Sequence, residues 1–142
     1  MTKNTLVANA ASKNTKVKRP YFLEQVGEAA VVQLYADGFT TLSLREKTLI
    51  YHLYCAALAG RDIYYDQRYV HNLEMREVLE QILMHADNVK VFILEEIRRY
   101  TKLFWINSGP YNNLTARKFV LSCTTEEFSI AVVAAGKAGA NF

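Results

Sequence analysis

Apolar residues recur at helical spacing in four stretches of the chain, each opened by a recognisable start signal. Leu49, Leu53, Ala56 and Ala57 fall on one face, with Ile50 and Tyr54 beside it. Ser43 and Glu46 precede that face as a capping box, in which each residue occupies an otherwise free helix N–H group. Gly60 is a natural terminator. The stretch predicts a packed interior helix whose small residues Ala56, Ala57 and Ala59 let another backbone approach closely. Asn72 predicts the cap of a further helix in which Met75, Leu79, Ile82 and Leu83 face inward while Glu74, Arg76, Glu77 and Glu80 face water. Asp87 opens the longest candidate, with Phe92, Ile93, Ile97, Tyr100, Phe104 and Trp105 as its apolar stripe and Glu95 placed to pair with Arg99 at i,i+4. Thr124 and Glu127 form a second capping box ahead of Phe128, Ile130, Ala131, Val132, Ala134 and Ala135, and Gly136 and Gly139 follow.

The remaining segments carry weaker periods. Between Tyr21 and Tyr35, Phe22, Val26, Ala29 or Ala30, and Gln33 stand at helical spacing, although Gly27 interrupts it and Val31-Val32 would tolerate a strand. Asp37-Gly38 supplies a turn. Residues 61–72, RDIYYDQRYVHN, read as a loop because charges and tyrosines break any helix-length apolar face. Ser108-Gly109-Pro110 ends the longest helix, and residues 114–119 allow one further turn. No hairpin signature such as Asn-Gly between alternating runs is present. The chain therefore predicts a mainly α, irregular multi-helix domain of four or five helices over residues 20–142, preceded by a basic flexible arm over residues 1–19.

Charge sharpens that division. The 142 residues carry a formal net charge of +3. The first nineteen contain Lys3, Lys13, Lys16, Lys18 and Arg19 and no acid, which leaves twelve basic against fourteen acidic residues, net −2, in the remainder. A slightly acidic body is a poor footprint for phosphate, so nucleic acid is not the expected partner. Two cysteines, Cys55 and Cys123, do not make a disulfide framework, and Cys55 among Leu53, Ala56 and Ala57 reads as core. No apolar run approaches the length of a membrane helix. These features together predict a cytoplasmic protein with no membrane partner.

Candidate chemistry is sparse. His52, His71 and His85 lie 19 and 14 residues apart, and none has a partner at i+4 or i+5, so the helical two-histidine pattern of a zinc peptidase is missing. No metal ligand, cofactor or catalytic residue is expected within the chain. Arg61, Asp62 and Asp66 form a charged cluster that anchors its loop through ion pairs or, alternatively, holds a ligand. The segment INSGPYNN offers more. Asn107, Ser108, Gly109, Tyr111, Asn112 and Asn113 bring amides and a hydroxyl into one rigid turn, the inventory needed to grip a peptide backbone. The competing reading is that Asn107 and Asn113 only cap neighbouring helix ends.

Residues 42–80, LSLREKTLIYHLYCAALAGRDIYYDQRYVHNLEMREVLE, and residues 100–119, YTKLFWINSGPYNNLTARKF, resemble the amino-terminal part of dipeptidyl peptidase III-like zinc metallopeptidases. The most diagnostic features are ALAGRD with the following DQ, then FWINSG and the closing KF of Lys118 and Phe119. That resemblance implies a two-lobed enzyme that removes dipeptides from oligopeptide N-termini. Its zinc would be held by a later HExxxH-type helix and an EExxxD-type segment, neither of which occurs here. The chain would then be the beginning of such an enzyme, an incomplete lobe that supplies fold and part of the substrate cleft and is inactive without the missing catalytic lobe. Tyr111, Asn112 and Asn113 stand where some bacterial relatives have a histidine-rich stretch. The alternative reading is a freestanding, non-catalytic peptide-binding or adaptor protein.

Overall fold

The computed structural model describes residues 19–142. Two strands, β1 (Phe22–Val26) and β2 (Ala29–Val32), come first, followed by a 3-10 turn (Asp37–Thr41). Five helices complete the described chain: α1 (Leu44–Ala59), α2 (Arg61–Arg68), α3 (Asn72–Met84), α4 (Val91–Asn107) and α5 (Thr125–Lys137). The domain is mainly α, as the periodicity predicts. The basic residues 1–18 lie outside the described part. Arg19, the last basic residue of the expected arm and the first described residue, holds Asp37 through two contacts of 2.6 and 2.7 Å.

The core lies among α2 to α5. Phe104, Ile82 and Ile97 are fully buried, with Ile93, Leu79 and Tyr100 nearly so, and Ala131 and Ala135 seal the α5 side. Phe104 sits between two rings, stacked on Tyr65 at 6.0 Å and tilted against Tyr100 at 6.4 Å. The expected inward faces of α3 and α4 therefore form the core, except that Phe92 and Trp105 point outward. Trp105 Nε1 donates instead to Glu80 at 2.9 Å. Both capping boxes are present, Ser43 with Glu46 and Thr124 with Glu127.

Several local expectations are corrected. Residues 21–35 form an antiparallel hairpin, with Phe22 opposite Val32 and Val26 opposite Ala29. Gly27, at φ +58°, makes the tight turn that a helix would not need. Residues 61–68 are helical because Gly60 ends α1 without leaving the right-handed region, so α2 starts at once. Only Tyr65 of α2 is buried, and one inward residue leaves no period to read. Asn72 does not cap α3; it is the first helical residue, and its side chain is buried and bonded elsewhere. Helix α4 begins at Val91 rather than Asp87, after a turn closed by Val89 N–H to Ala86 O at 3.0 Å. Its ion pair is Glu96 with Arg99, at 2.7 Å. Glu96 also accepts from Ser122 N–H at 2.7 Å, and Arg99 holds its carboxyl below the usual range.

The largest departure is α1. No residue of this helix is buried, and Leu49, Leu53 and Tyr54 are each close to 60% exposed. Cys55 is exposed too, not core. Across residues 19–64 only Val26 is buried among the described positions. Helix α1 is apolar around most of its circumference, a composition that fits burial on several sides, yet among the described residues it packs mainly on α2, with Lys47 reaching back to Thr40 O at 3.0 Å. No helix among the described residues is long and apolar enough to cross a membrane.

Candidate peptide cleft

Helix α4 ends in a Schellman turn: Gly109 N–H donates to Phe104 O at 3.0 Å and Ser108 N–H to Trp105 O at 3.3 Å. Ser108 takes the left-handed conformation, at φ 51° and ψ 42°, and the chain reverses. Residues 110–119 then close on themselves. Phe119 N–H donates to Pro110 O at 2.8 Å, Asn112 N–H to Arg117 O at 2.9 Å, and Tyr111 bridges Lys118. Asn112 Oδ1 accepts the N–H groups of Leu114 and Thr115, both at 2.9 Å, as an Asx turn. Ala116 N–H to Asn112 O, at 2.9 Å, closes a single turn at the tip of this small hairpin, and no helix follows over residues 117–119.

The loop, the end of α4 and the β1–β2 turn enclose a cleft of about 630 Å³. Gly27, Glu28 and Ala29 form one lip, Leu103, Ile106 and Phe119 contribute apolar wall, and Asn107, Asn112, Asn113 and Arg117 bring polar groups. Half of the expected site residues therefore share one cleft. Ser108, Gly109 and Tyr111 do not line it; Ser108 and Gly109 set the path of the loop, and Tyr111 is its outer strand.

The amides are not equivalent. Asn107 Nδ2 donates to Leu103 O at 2.9 Å and its Oδ1 accepts Asn113 N–H at 3.0 Å, so Asn107 holds the loop to α4 in the structural role weighed against ligand binding. Asn112 keeps its amide nitrogen free, because only its oxygen is engaged among the described residues. The Asn113 side chain makes no hydrogen bond among the described residues, and neither Glu28 nor Arg117 has an ion-pair partner there. Glu28, Asn112, Asn113 and Arg117 thus border one partly apolar space. That is the mixture of donors, acceptors and opposite charges a peptide presents in return.

Arg61, Asp62 and Asp66 lie on α2, away from this cleft. Asp62 accepts from Arg76 at 2.7 Å and from Arg61 at 3.4 Å, and Arg76 above all holds its carboxyl below the usual range. The pair ties α2 to α3 rather than anchoring a loop, and Asp66 has no ion-pair partner among the described residues. The histidines are scattered: His52 lies against Tyr51 on α1, His71 pairs with Glu74, and His85 meets Gln81 O. No group of three His, Cys, Asp or Glu that could hold a metal occurs among the described residues. Burial pushes the Cys123 thiol up, away from the reactive thiolate.

Sequence reasoning missed Glu28, Arg117 and the apolar wall of Leu103 and Ile106. Their only sequence signal is a free charge beside a turn, which is too common to single out. No family model matches the chain, and no curated protein matches it.

Proposed function

We propose that this chain is the N-terminal segment of a zinc-dependent dipeptidyl peptidase, supplying fold and one wall of the peptide cleft while being inactive alone. The observation that carries the reading is the cleft itself, where the amides of Asn112 and Asn113 lie with Glu28 and Arg117. An exopeptidase that cuts after the second residue must count from the free amine. Glu28 would neutralise that amine, the amides of Asn112 and Asn113 would bond the first peptide groups, and Arg117 would favour acidic or carboxyl-terminal groups further along.

The residues present do not fit zinc, since the three histidines occupy separate places and, although Glu74 meets His71, no third His, Cys, Asp or Glu joins that pair or either other histidine among the described residues. The metal and the water-activating base belong, on this reading, to the catalytic lobe. Helix α1 supports such a second body, because an apolar helix left uncovered on its own domain is suited to burial against another. A freestanding peptide-binding adaptor is the second reading, favoured by the mixed apolar and polar lining of the cleft, which needs no metal to hold a peptide.

Titrating the 142-residue protein with tetra-alanine, followed by amide NMR shifts, tests the cleft. Shifts should concentrate at Gly27–Ala29 and Asn112–Arg117. N-acetylation of the peptide, or Glu28→Gln, should weaken binding about tenfold, the scale of one lost charge-assisted hydrogen bond. Equal affinity for free and acetylated peptide would remove the amine-recognition role of Glu28, and no binding at all would remove the peptide reading.

A further inference from the structure

Three side chains from α2 and α3 reach across to the carbonyls that end α4. Tyr65 Oη donates to Trp105 O at 3.5 Å, Arg68 Nη1 to Asn107 O at 3.0 Å, and Asn72 Nδ2 to Ser108 O at 3.2 Å. Asn72 is the most constrained of the three. It is fully buried, its Nδ2 also donates to Tyr65 O at 2.9 Å, and its Oδ1 has no hydrogen-bond partner among the described residues. Reversing the amide would set the oxygen against two carbonyl oxygens, so the donors fix its orientation. Gly109 closes the other side. A Cβ added there would stand 2.9 Å from Asn72 Nδ2 and 3.2 Å from Oδ1, at a φ of +149°.

We infer that Asn72 is a positioning residue for the cleft: from beneath the turn it holds Ser108 in the left-handed conformation and sets the direction in which Asn112 and Asn113 leave α4. Left-handed backbone is disfavoured for a residue with a side chain, so it persists where the surroundings over-determine it. The Schellman bonds fix the turn from the helix side, and Asn72 fixes its outgoing carbonyl from the opposite side. Asn107 then grips Asn113 N–H from within the loop. The two buried asparagines act in series, one upon the turn and one upon the loop that follows. The consequence for peptide binding rests on the reading proposed above, whereas the positioning itself does not.

Amide hydrogen exchange on the full 142-residue chain reads this directly. In Asn72→Ala, protection at Gly109, Asn113 and Phe119 should fall about tenfold relative to Ala131 and Ala135 of α5, after correction for global stability. Gly109→Ala pushes the same amide from its other face but is also strained by its own φ of +149°, so it is read only through the double variant; Asn72→Asp, of the same shape but without the NH2 donor, should give the same local signature and keeps the test available if Asn72→Ala does not fold. In the double variant the lost amide leaves room for the added methyl, so the combined loss should be smaller than the sum. Unchanged protection at the three loop amides in whichever Asn72 variants fold, or a loss shared evenly with α5, overturns the role of Asn72. Tetra-alanine added to the same samples separates the two readings. Failure of the wild-type chain to bind it, with the local exchange effect intact, removes the peptide reading and leaves the positioning role standing.

Discussion

Phe104→Ala should lower the unfolding free energy by about 3–5 kcal/mol, the usual cost of emptying a buried aromatic site. The ring is fully buried, contacts both Tyr65 and Tyr100, and belongs to the residue whose carbonyl accepts Gly109 N–H in the turn that ends α4. Its loss would leave a cavity where α2 and α4 meet, and neither aromatic neighbour can fill it without giving up its own packing. Leu53→Ala is the control. Leu53 belongs to a longer apolar run than many core residues do, but it is 59% exposed, so the change should stay within about 0.5 kcal/mol. Urea unfolding of both variants against the parent decides it. Equal losses would mean that α1 is packed in the isolated chain, contrary to the fold described here.

The second large effect concerns association. Ile50, Leu53, Tyr54 and Leu58 share neighbouring turns of α1, and each is 41% or more exposed. Exposed apolar area of this kind drives contact with whatever covers it, and in the isolated chain another copy is the available cover. Sedimentation velocity should therefore show concentration-dependent association of the parent chain. Ile50→Lys combined with Leu53→Lys places two charges one turn apart on that surface and should return the protein to a monomer with its far-ultraviolet circular dichroism unchanged. A parent chain that stays monomeric, or a double variant that unfolds, would show that α1 already has its cover within the domain.

What could be read in advance follows the physics of each segment. The capping boxes at Ser43 and Thr124 gave correct starts for α1 and α5 because the signal is local and chemical. The core face of α4 was legible because Ile93, Ile97, Tyr100 and Phe104 repeat at the helical period over about three turns, and that of α3 because Leu79 and Ile82 fall at the same period behind Met75. Helix α2 offered no such repeat, with Tyr65 as its one inward residue. The hairpin was obscured by a coincidence, since Phe22, Val26 and Ala29 match a helix as well as they match two strands joined at Gly27. For α1 the sequence specified a helix but not its cover, because apolar composition says that a surface prefers burial and not what buries it.

The candidate site was legible only in outline. Ser108-Gly109-Pro110 marks a break whatever the fold, and the amides around it drew attention to the loop that borders the cleft. Which amides stay free is a matter of partners: Asn107 is engaged by Leu103 O and Asn113 N–H, and Asn112 Oδ1 by its own Asx turn. Glu28 lies more than eighty residues from Arg117 in the chain, and only the packing of the hairpin turn near Leu103 brings both to one cleft. Asn72 looked like a helix cap from its position, and its position cannot reveal that its side chain turns inward to Ser108 O.

The proposed place of this chain at the start of a larger zinc peptidase is tested most directly by the size of the native protein. An antibody against residues 42–119, applied to a denaturing gel of the source cells, should detect a polypeptide several times larger than the 16.2 kDa of this chain. A single band at 16.2 kDa would contradict the peptidase assignment and leave the cleft to a freestanding peptide-binding protein.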